Sequence, residues 1–159
     1  MSEGAALSAM AAKVLVEGCL DNVSGAAKGQ FPVGGRFLSD QERIALGLQP
    51  GGETMHYAVG DNAVYLNIQG ASSTVWFNGD SSTVLAEVEK ALRQRYPKAV
   101  QRKDEPVPTD EFTRRRSYDV PLTADRAAVL DVGYPAPGAG AGGFVGRVRV
   151  YARKVEQKN

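Results

Sequence analysis

The last strand-like segment of the chain, residues 144–153, carries basic and aromatic side chains at alternate positions. Arg147, Arg149, Tyr151 and Arg153 share one parity, whereas Phe144, Val148, Val150 and Ala152 share the other. Because successive residues of a β-strand point to opposite faces of its sheet, this pattern predicts three guanidinium groups and a phenol on one face. Arginine beside an aromatic ring is a composition that holds phosphate groups and stacked bases.

A second basic run, Arg114-Arg115-Arg116, lies within a predicted strand at 112–120. Arg114 and Arg116 share the parity of Tyr118, and they would extend the basic face if this strand pairs near the last one. The candidate binding residues are therefore Arg114, Arg116, Arg147, Arg149, Tyr151 and Arg153. The expected partner is an acidic protein or a small anionic ligand. The alternative is an ordinary solvated sheet face, partly neutralised across the strands by Asp119 and Asp131.

Catalytic chemistry has few candidates, because the chain contains one histidine, His56, and one cysteine, Cys19. No pair of such ligands exists to hold zinc, and no acidic loop has calcium-binding spacing, so we expect no metal or other cofactor. A serine or cysteine nucleophile would have only His56 as its imidazole base. We expect Cys19 to be a small buried residue on an apolar helix face and His56 to be structural or surface-exposed.

Two further segments invite a catalytic interpretation. Acidic pairs at 104–105 and 110–111 flank a proline-containing linker, where adjacent carboxylates are usually solvated. The glycine-rich segment 135–143 precedes a strand rather than a helix N-terminus, which argues against a phosphate-binding loop. It is predicted to be a flexible hairpin tip, with a flap over a ligand as the alternative. The rival function is therefore a small metal-independent enzyme that uses His56 or an acid beneath this flap.

Local sequence patterns predict the elements that position these residues. Apolar residues recur at helical spacing over 6–20 and over 82–96, and Pro97 ends the second helix. Ser39 and Glu42 have the spacing of a capping box at the start of a short helix. Strands are predicted at 55–59, 63–69 and 74–78, and again at 112–120, 126–134 and 144–153. Trp76 is expected in the core, with a pocket or interface aromatic as the alternative.

The predicted fold is α+β, with a mostly antiparallel sheet of about six strands arranged as two meanders. The meanders form one sheet or two adjoining sheets, and helix 82–96 and the N-terminal helix pack on one face. Separate three-stranded sheets on either side of the long helix are the alternative. The 159 residues are expected to form a single domain, residues 1–159, with a polar tail at 155–159.

Composition and charge narrow the functional classes. Apolar residues make up 43% and charged residues 23% of the chain, as in ordinary globular proteins. The net charge is +1, although residues 1–80 hold 4 basic and 8 acidic residues and residues 81–159 hold 15 basic and 10 acidic ones. No apolar run approaches the ~18 residues that a membrane span needs. The N-terminus lacks a signal-peptide pattern, so a cytoplasmic location is expected, or a periplasmic or secreted one if an upstream export signal has been removed.

No motif allows functional residues to be carried over from a known family. The leading hypothesis is a non-catalytic binding or protein-interaction module, because the chain lacks a metal-ligand set and offers a nucleophile only one possible imidazole base. Weak binding of a nucleic acid or another polyanion through the basic face is a third, disfavoured alternative, because the net charge is close to zero. The sequence indicates no oligomeric state.

Overall fold

A computed structural model describes residues 3–20, 31–69, 72–77, 83–102, 105–107, 110–122, 126–135 and 144–152. For residues 3, 105–107, 110–114, 126, 134–135 and 144–152 it describes the backbone alone. The helices in these ranges are α1 (Glu3–Lys13), which continues as a π-helical segment (Val14–Leu20), α2 (Asp40–Ala45) and α3 (Val84–Arg95). The strands are β1 (Gly35–Phe37), β2 (Glu53–Val59), β3 (Asn62–Gln69), β4 (Ser72–Phe77), β5 (Val100–Gln101), β6 (Glu105–Val107), β7 (Asp110–Pro121), β8 (Arg126–Pro135) and β9 (Phe144–Ala152).

The strands pair as one antiparallel sheet in the order β1-β2-β3-β4-β9-β8-β7-β5, and β6 also pairs with β7. The pairing of β4 with β9 runs from Phe77 opposite Phe144 to Ser72 opposite Arg149, and it joins the two meanders. This arrangement confirms the predicted α+β class with its antiparallel meanders. The described residues contain nine strands rather than about six, because β1, β5 and β6 add short segments of two or three residues at the sheet's margins.

The hydrophobic core lies between one face of this sheet and the layer formed by α1, the π-helical segment and α3. Val84, Val88 and Leu92 line the inner side of α3 and are at most 3% exposed. Each such buried side chain contributes roughly 1.5–3 kcal/mol to the free energy of unfolding. From the sheet, the most buried residues opposite them include Tyr57, Leu66, Val75, Phe77 and Leu130. The predicted packing of both long helices on one face is confirmed.

Strand β1 lies in a segment that contains Pro32, Gly34 and Gly35, residues that more often form turns than strands. Gly35 permits this strand to form, since a Cβ atom there would lie only 2.6 Å from Met55 Cε and 2.7 Å from Tyr57 Cζ. A glycine thus allows β1 to cross closely over two core side chains of β2.

The predicted capping box at the start of α2 is confirmed. The backbone N–H of Glu42 donates to Ser39 Oγ at 3.2 Å, and that of Ser39 donates to Glu42 Oε1 at 3.0 Å. The predicted polar tail at 155–159 lies outside the described residues. Among the residues described, no helix combines the length and apolarity needed to cross a membrane.

Candidate functional site

Three aromatic residues lie side by side on the face of the sheet opposite α1 and α3, which we call the outer face. His56 pairs with Tyr65 across β2 and β3, and Tyr65 pairs with Trp76 across β3 and β4. The rings of His56 and Tyr65 meet edge to face with centroids 5.3 Å apart, whereas Tyr65 and Trp76 stack at 5.3 Å with planes 19° apart. Both distances fall in the attractive range for ring pairs. We call this row the aromatic ladder.

The position of Trp76 corrects the expectation of a core tryptophan. Val75 and Phe77 on either side of it are buried beneath the helices, at 0% and 1% exposure. Because neighbouring residues in a strand point to opposite faces, Trp76 points to the outer face, where it is half-buried. Two apolar residues of β4 therefore take the core positions, and the indole becomes available for contacts outside the core.

Next to the aromatic ladder, α2 is fixed to the outer face by one buried arginine. Arg43 is 4% exposed, and its Nε donates to Thr54 Oγ1 at 2.9 Å. Its Nη2 donates to the carbonyl of Gln49 at 2.9 Å and to Asn67 Oδ1 at 3.2 Å. All three acceptors are neutral, so these hydrogen bonds of Arg43 form without a carboxylate partner. The contact anchors α2 over β2 and β3, and it was not anticipated from the sequence.

The β1 end of the aromatic ladder carries Arg36, which pairs with His56 across the strands. Its Nη1 and Nη2 donate to the two carboxylate oxygens of Glu42, each at 3.1 Å. The hydrogen bond from Arg36, followed by the one from the Ser39 backbone, lowers the pKa of Glu42 to about 2. At this end of the aromatic ladder, the charge of Arg36 is therefore compensated by Glu42, whose carboxylate also accepts from Ser39.

The predicted basic residues of the last strand occupy the outer face in the central part of the sheet. Arg147 lies opposite Thr74 of β4 and Asp131 of β8, and Arg149 lies opposite Ser72 and Val129. Residues paired across a ladder share a face, so both positions belong to the outer face. Tyr151 lies opposite Ala127 and has the same parity. Arg153 lies outside the described residues.

The sheet does not bring Arg114 and Arg116 onto the same face as the basic positions of β9. Arg116 lies opposite Val132, which is buried beneath the helices, and Arg114 has the same parity as Arg116. The register therefore assigns both positions to the face opposite Arg147 and Arg149, which corrects the expected joint face. The exposed Arg115 takes the outer-face position instead. It lies opposite Gly133, which pairs with Val145 beside Trp76.

On the helix side, Arg116 belongs to a cluster around Glu89 of α3. Arg116 Nη1 and the Tyr118 hydroxyl donate to Glu89 Oε1 at 2.6 Å and 2.7 Å, and Arg93 Nη2 lies 3.5 Å from Glu89 Oε2. Burial raises the pKa of Glu89, but the hydrogen bonds from Tyr118 and Arg116 and the charges of Arg116 and Arg93 outweigh it, so the pKa is lowered. A cavity of about 110 Å³ adjoins this cluster. The Glu89 carboxylate already accepts two hydrogen bonds and has an ion-pair partner, so we interpret the cluster as a structural contact between helix and sheet.

A larger groove of about 440 Å³ separates α1 and the π-helical segment from α3. Its floor includes Ala12 and Ala91, and its rim carries Lys13 and Lys90. Arg95 Nη1 and Glu17 Oε1, 3.5 Å apart, bridge the two helices. The groove combines charges of both signs around small side chains, and it contains none of the candidate binding residues.

Among the described residues, no arrangement of side chains supports the catalytic alternative. The ring of His56 packs edge-on against Tyr65, and neither the groove nor the cavity includes it. Cys19 is 1% exposed, and burial raises the pKa of its thiol to about 12 despite a hydrogen bond with Ser73. Within the part of the chain described, no three metal-binding side chains cluster. Residues 136–143 of the proposed flap lie outside it, so the flap stays a prediction.

No protein-family model, curated protein sequence or solved structure matches this chain.

Proposed function

We propose that the chain is a non-catalytic binding module that holds an anionic partner on the outer face of its sheet. The observation that supports this proposal is the register of β9, which lies between β4 and β8: Val145 pairs with Trp76, and positions 147 and 149 follow on the same face of the strand. Guanidinium groups next to aromatic rings bind anionic ligands through charge-assisted hydrogen bonds and through stacking.

Arg149 is the stronger anchor of the two arginines. Both of its directly opposed neighbours, Ser72 and Val129, are uncharged. Arg147 instead lies directly opposite Asp131, whose carboxylate also accepts a hydrogen bond from Ser117. Opposite charges at facing positions of two strands attract, so we expect position 147 to contribute less to anion binding than position 149.

The helix side of the sheet supports an anion less well. Arg116 already donates to Glu89, and Arg93 lies within ion-pair distance of the same carboxylate. The outer face also has half-exposed hydroxyl side chains, Ser72 and Thr74 among them, that can complete the hydrogen bonding of a bound group.

The test is a titration of the ¹⁵N-labelled protein with inorganic phosphate, a mononucleotide, citrate and a poly-glutamate peptide. We expect chemical-shift changes at the amides of Ser72 and Thr74 and at the indole N–H of Trp76. The double variant R147E/R149E should lose them. The variant K90E/K98E changes the net charge equally on the helix side, and it should keep them.

Two results would contradict the proposal. One is the absence of shift changes on the outer face with every probe. The other is an equal loss of binding in R147E/R149E and K90E/K98E, which would indicate only a general effect of net charge. The position of the shifts, and the probe that causes them, would distinguish a small ligand from an acidic polypeptide.

A further inference from the structure

The aromatic ladder ends abruptly at Trp76. On the next two strands the same row continues with Val145 and then Gly133, which are much smaller than an indole. Strands lie about 4.8 Å apart, so the side chains of this row decrease in size from an indole to a glycine over roughly 10 Å. Since Tyr65 covers one side of the indole, the small residues lie on the opposite side of the ring.

The space above Val145 and Gly133, next to the indole of Trp76, is wide enough for one planar ring. Stacked rings have centroids roughly 4.5–7 Å apart, so a ring stacked on Trp76 would lie above β9 and would not reach beyond Gly133. Beyond that glycine, the row continues to the exposed Arg115. The row thus supplies a stacking surface, a small-residue floor and a basic residue in succession.

An anion attached to such a ring would meet arginine along β9. Arg147 follows Val145 by two residues, or about 7 Å, and Arg149 follows it by about 13 Å. These positions lie on the outer face beside the stacking surface. A ligand in which a sugar links a ring to a phosphate could therefore contact Trp76 and an arginine at the same time.

We propose that the side of Trp76 away from Tyr65 stacks one planar ring of an anionic ligand, of the chemical class of a nucleoside monophosphate. This inference depends on the proposed function, because the arginines of β9 bind the anionic group. The aromatic ladder preorganises the site, since Tyr65 stacks on the indole with ring planes 19° apart. A ring held in place loses less conformational entropy on binding.

The chain has a single tryptophan, so its fluorescence reports on this site alone. Titration with adenosine monophosphate should quench the emission saturably. Adenosine, which has the ring without the anion, should quench only at higher concentration, and inorganic phosphate should not quench it. Saturable quenching by the monophosphate that R149Q weakens would support the proposal.

Variants of the ring test stacking separately from charge. By isothermal titration calorimetry, W76L should weaken binding of adenosine monophosphate by roughly 5- to 150-fold, the equivalent of one lost base–aromatic stack. W76F keeps an aromatic ring and should retain most of the affinity, which also controls for damage to the fold.

The possible failures are distinguishable. If phosphate binds as well as the monophosphate, and W76L binds both normally, the ring site is wrong while the anion-binding function stands. If no anion binds, both proposals are wrong. If a single-stranded oligonucleotide binds and the mononucleotide does not, the one-ring site is overturned in favour of a strand-binding surface.

Discussion

The hydroxyl of Tyr118 donates to Glu89 Oε1 over 2.7 Å, and this contact joins α3 to strand β7. The same oxygen accepts from Arg116 Nη1, so one carboxylate on the helix holds two residues of the same strand. Burial and the adjacent carboxylate together raise the pKa of Tyr118 above its ordinary value. The C-terminal meander is thereby attached to the helix layer by polar contacts, in addition to the apolar contacts beneath them.

The first prediction concerns the stability that this contact provides. We expect Y118F to lower the free energy of unfolding by about 1.5–3 kcal/mol, the usual loss for a hydrogen bond to a charged group. The matched control is Y57F, because Tyr57 is also buried but its hydroxyl donates to the uncharged Met55 Sδ at 3.8 Å. Urea denaturation followed by circular dichroism measures both, and equal losses in the two variants would contradict the assignment.

The second prediction concerns the pH dependence of the α2 N-terminus. The pKa of Glu42 is lowered from 4.5 to about 2, first by its hydrogen bond with Arg36. A carboxyl with a lowered pKa stabilises the fold above its unfolded pKa, and this contribution is lost as the pH falls from about 4.5 towards 2. R36Q should therefore raise the pKa of Glu42 in an NMR titration of its side-chain carboxyl.

The comparison variant for Glu42 is S39A, which removes a smaller contribution. The Ser39 backbone still donates to Glu42 in this variant, so the pKa should rise less than in R36Q. A larger rise in S39A would mean that the cap, rather than the guanidinium group, holds the carboxylate in its charged form.

The third prediction concerns Arg43. R43M keeps most of the side-chain volume but removes the donors to Thr54 Oγ1, Asn67 Oδ1 and the carbonyl of Gln49. We expect a loss of about 2–4 kcal/mol in the free energy of unfolding, because these acceptors lose bonds to a charged group. R93M is the control, since the Arg93 side chain is 81% exposed and such surface pairs contribute less than about 1 kcal/mol.

A result against the third prediction is equally specific. If R43M is as stable as the wild type, the arginine does not anchor α2, and apolar packing alone holds that helix on the outer face. Hydrogen exchange at the amides of residues 42–46 would separate local loosening of α2 from a loss of global stability.

The helices and most strands were predictable because their signals are local. The capping box of Ser39 and the stripe of Val84, Val88 and Leu92 each fall within a few residues of sequence. The candidate site was predictable only in part. Alternation correctly groups Arg147 with Arg149, and Arg114 with Arg116, within their own strands.

The alternation of side chains within one strand does not determine how that strand aligns with its neighbours. Arg116 lies opposite Val132 and so faces the helices, and this depends on pairing through β8 rather than on the sequence of β7. The same limit applies to Trp76. Its strand has apolar residues on both parities, and only the packing of Val75 and Phe77 under the helices decides which side is the core.

The last prediction concerns Cys19, the one thiol of the chain. It lies in the π-helical segment at 1% exposure, and burial raises its pKa to about 12. We expect the native protein at neutral pH to resist a thiol reagent such as DTNB, because reaction needs an accessible thiolate. Labelling should begin only as denaturant unfolds the chain, so its rate measures opening of the core.

The sign of the pH effect on Cys19 follows from the raised pKa. The folded state keeps the thiol protonated above pH 9.0, where the unfolded thiol ionises, so this group lowers the stability of the fold as the pH rises above that value. C19A removes this dependence, and the difference in unfolding free energy between wild type and C19A should shrink from pH 8 to pH 10. Rapid labelling of the native protein at neutral pH would show instead that the π-helical segment opens readily, and the core would then be less closed around Cys19 than its burial indicates.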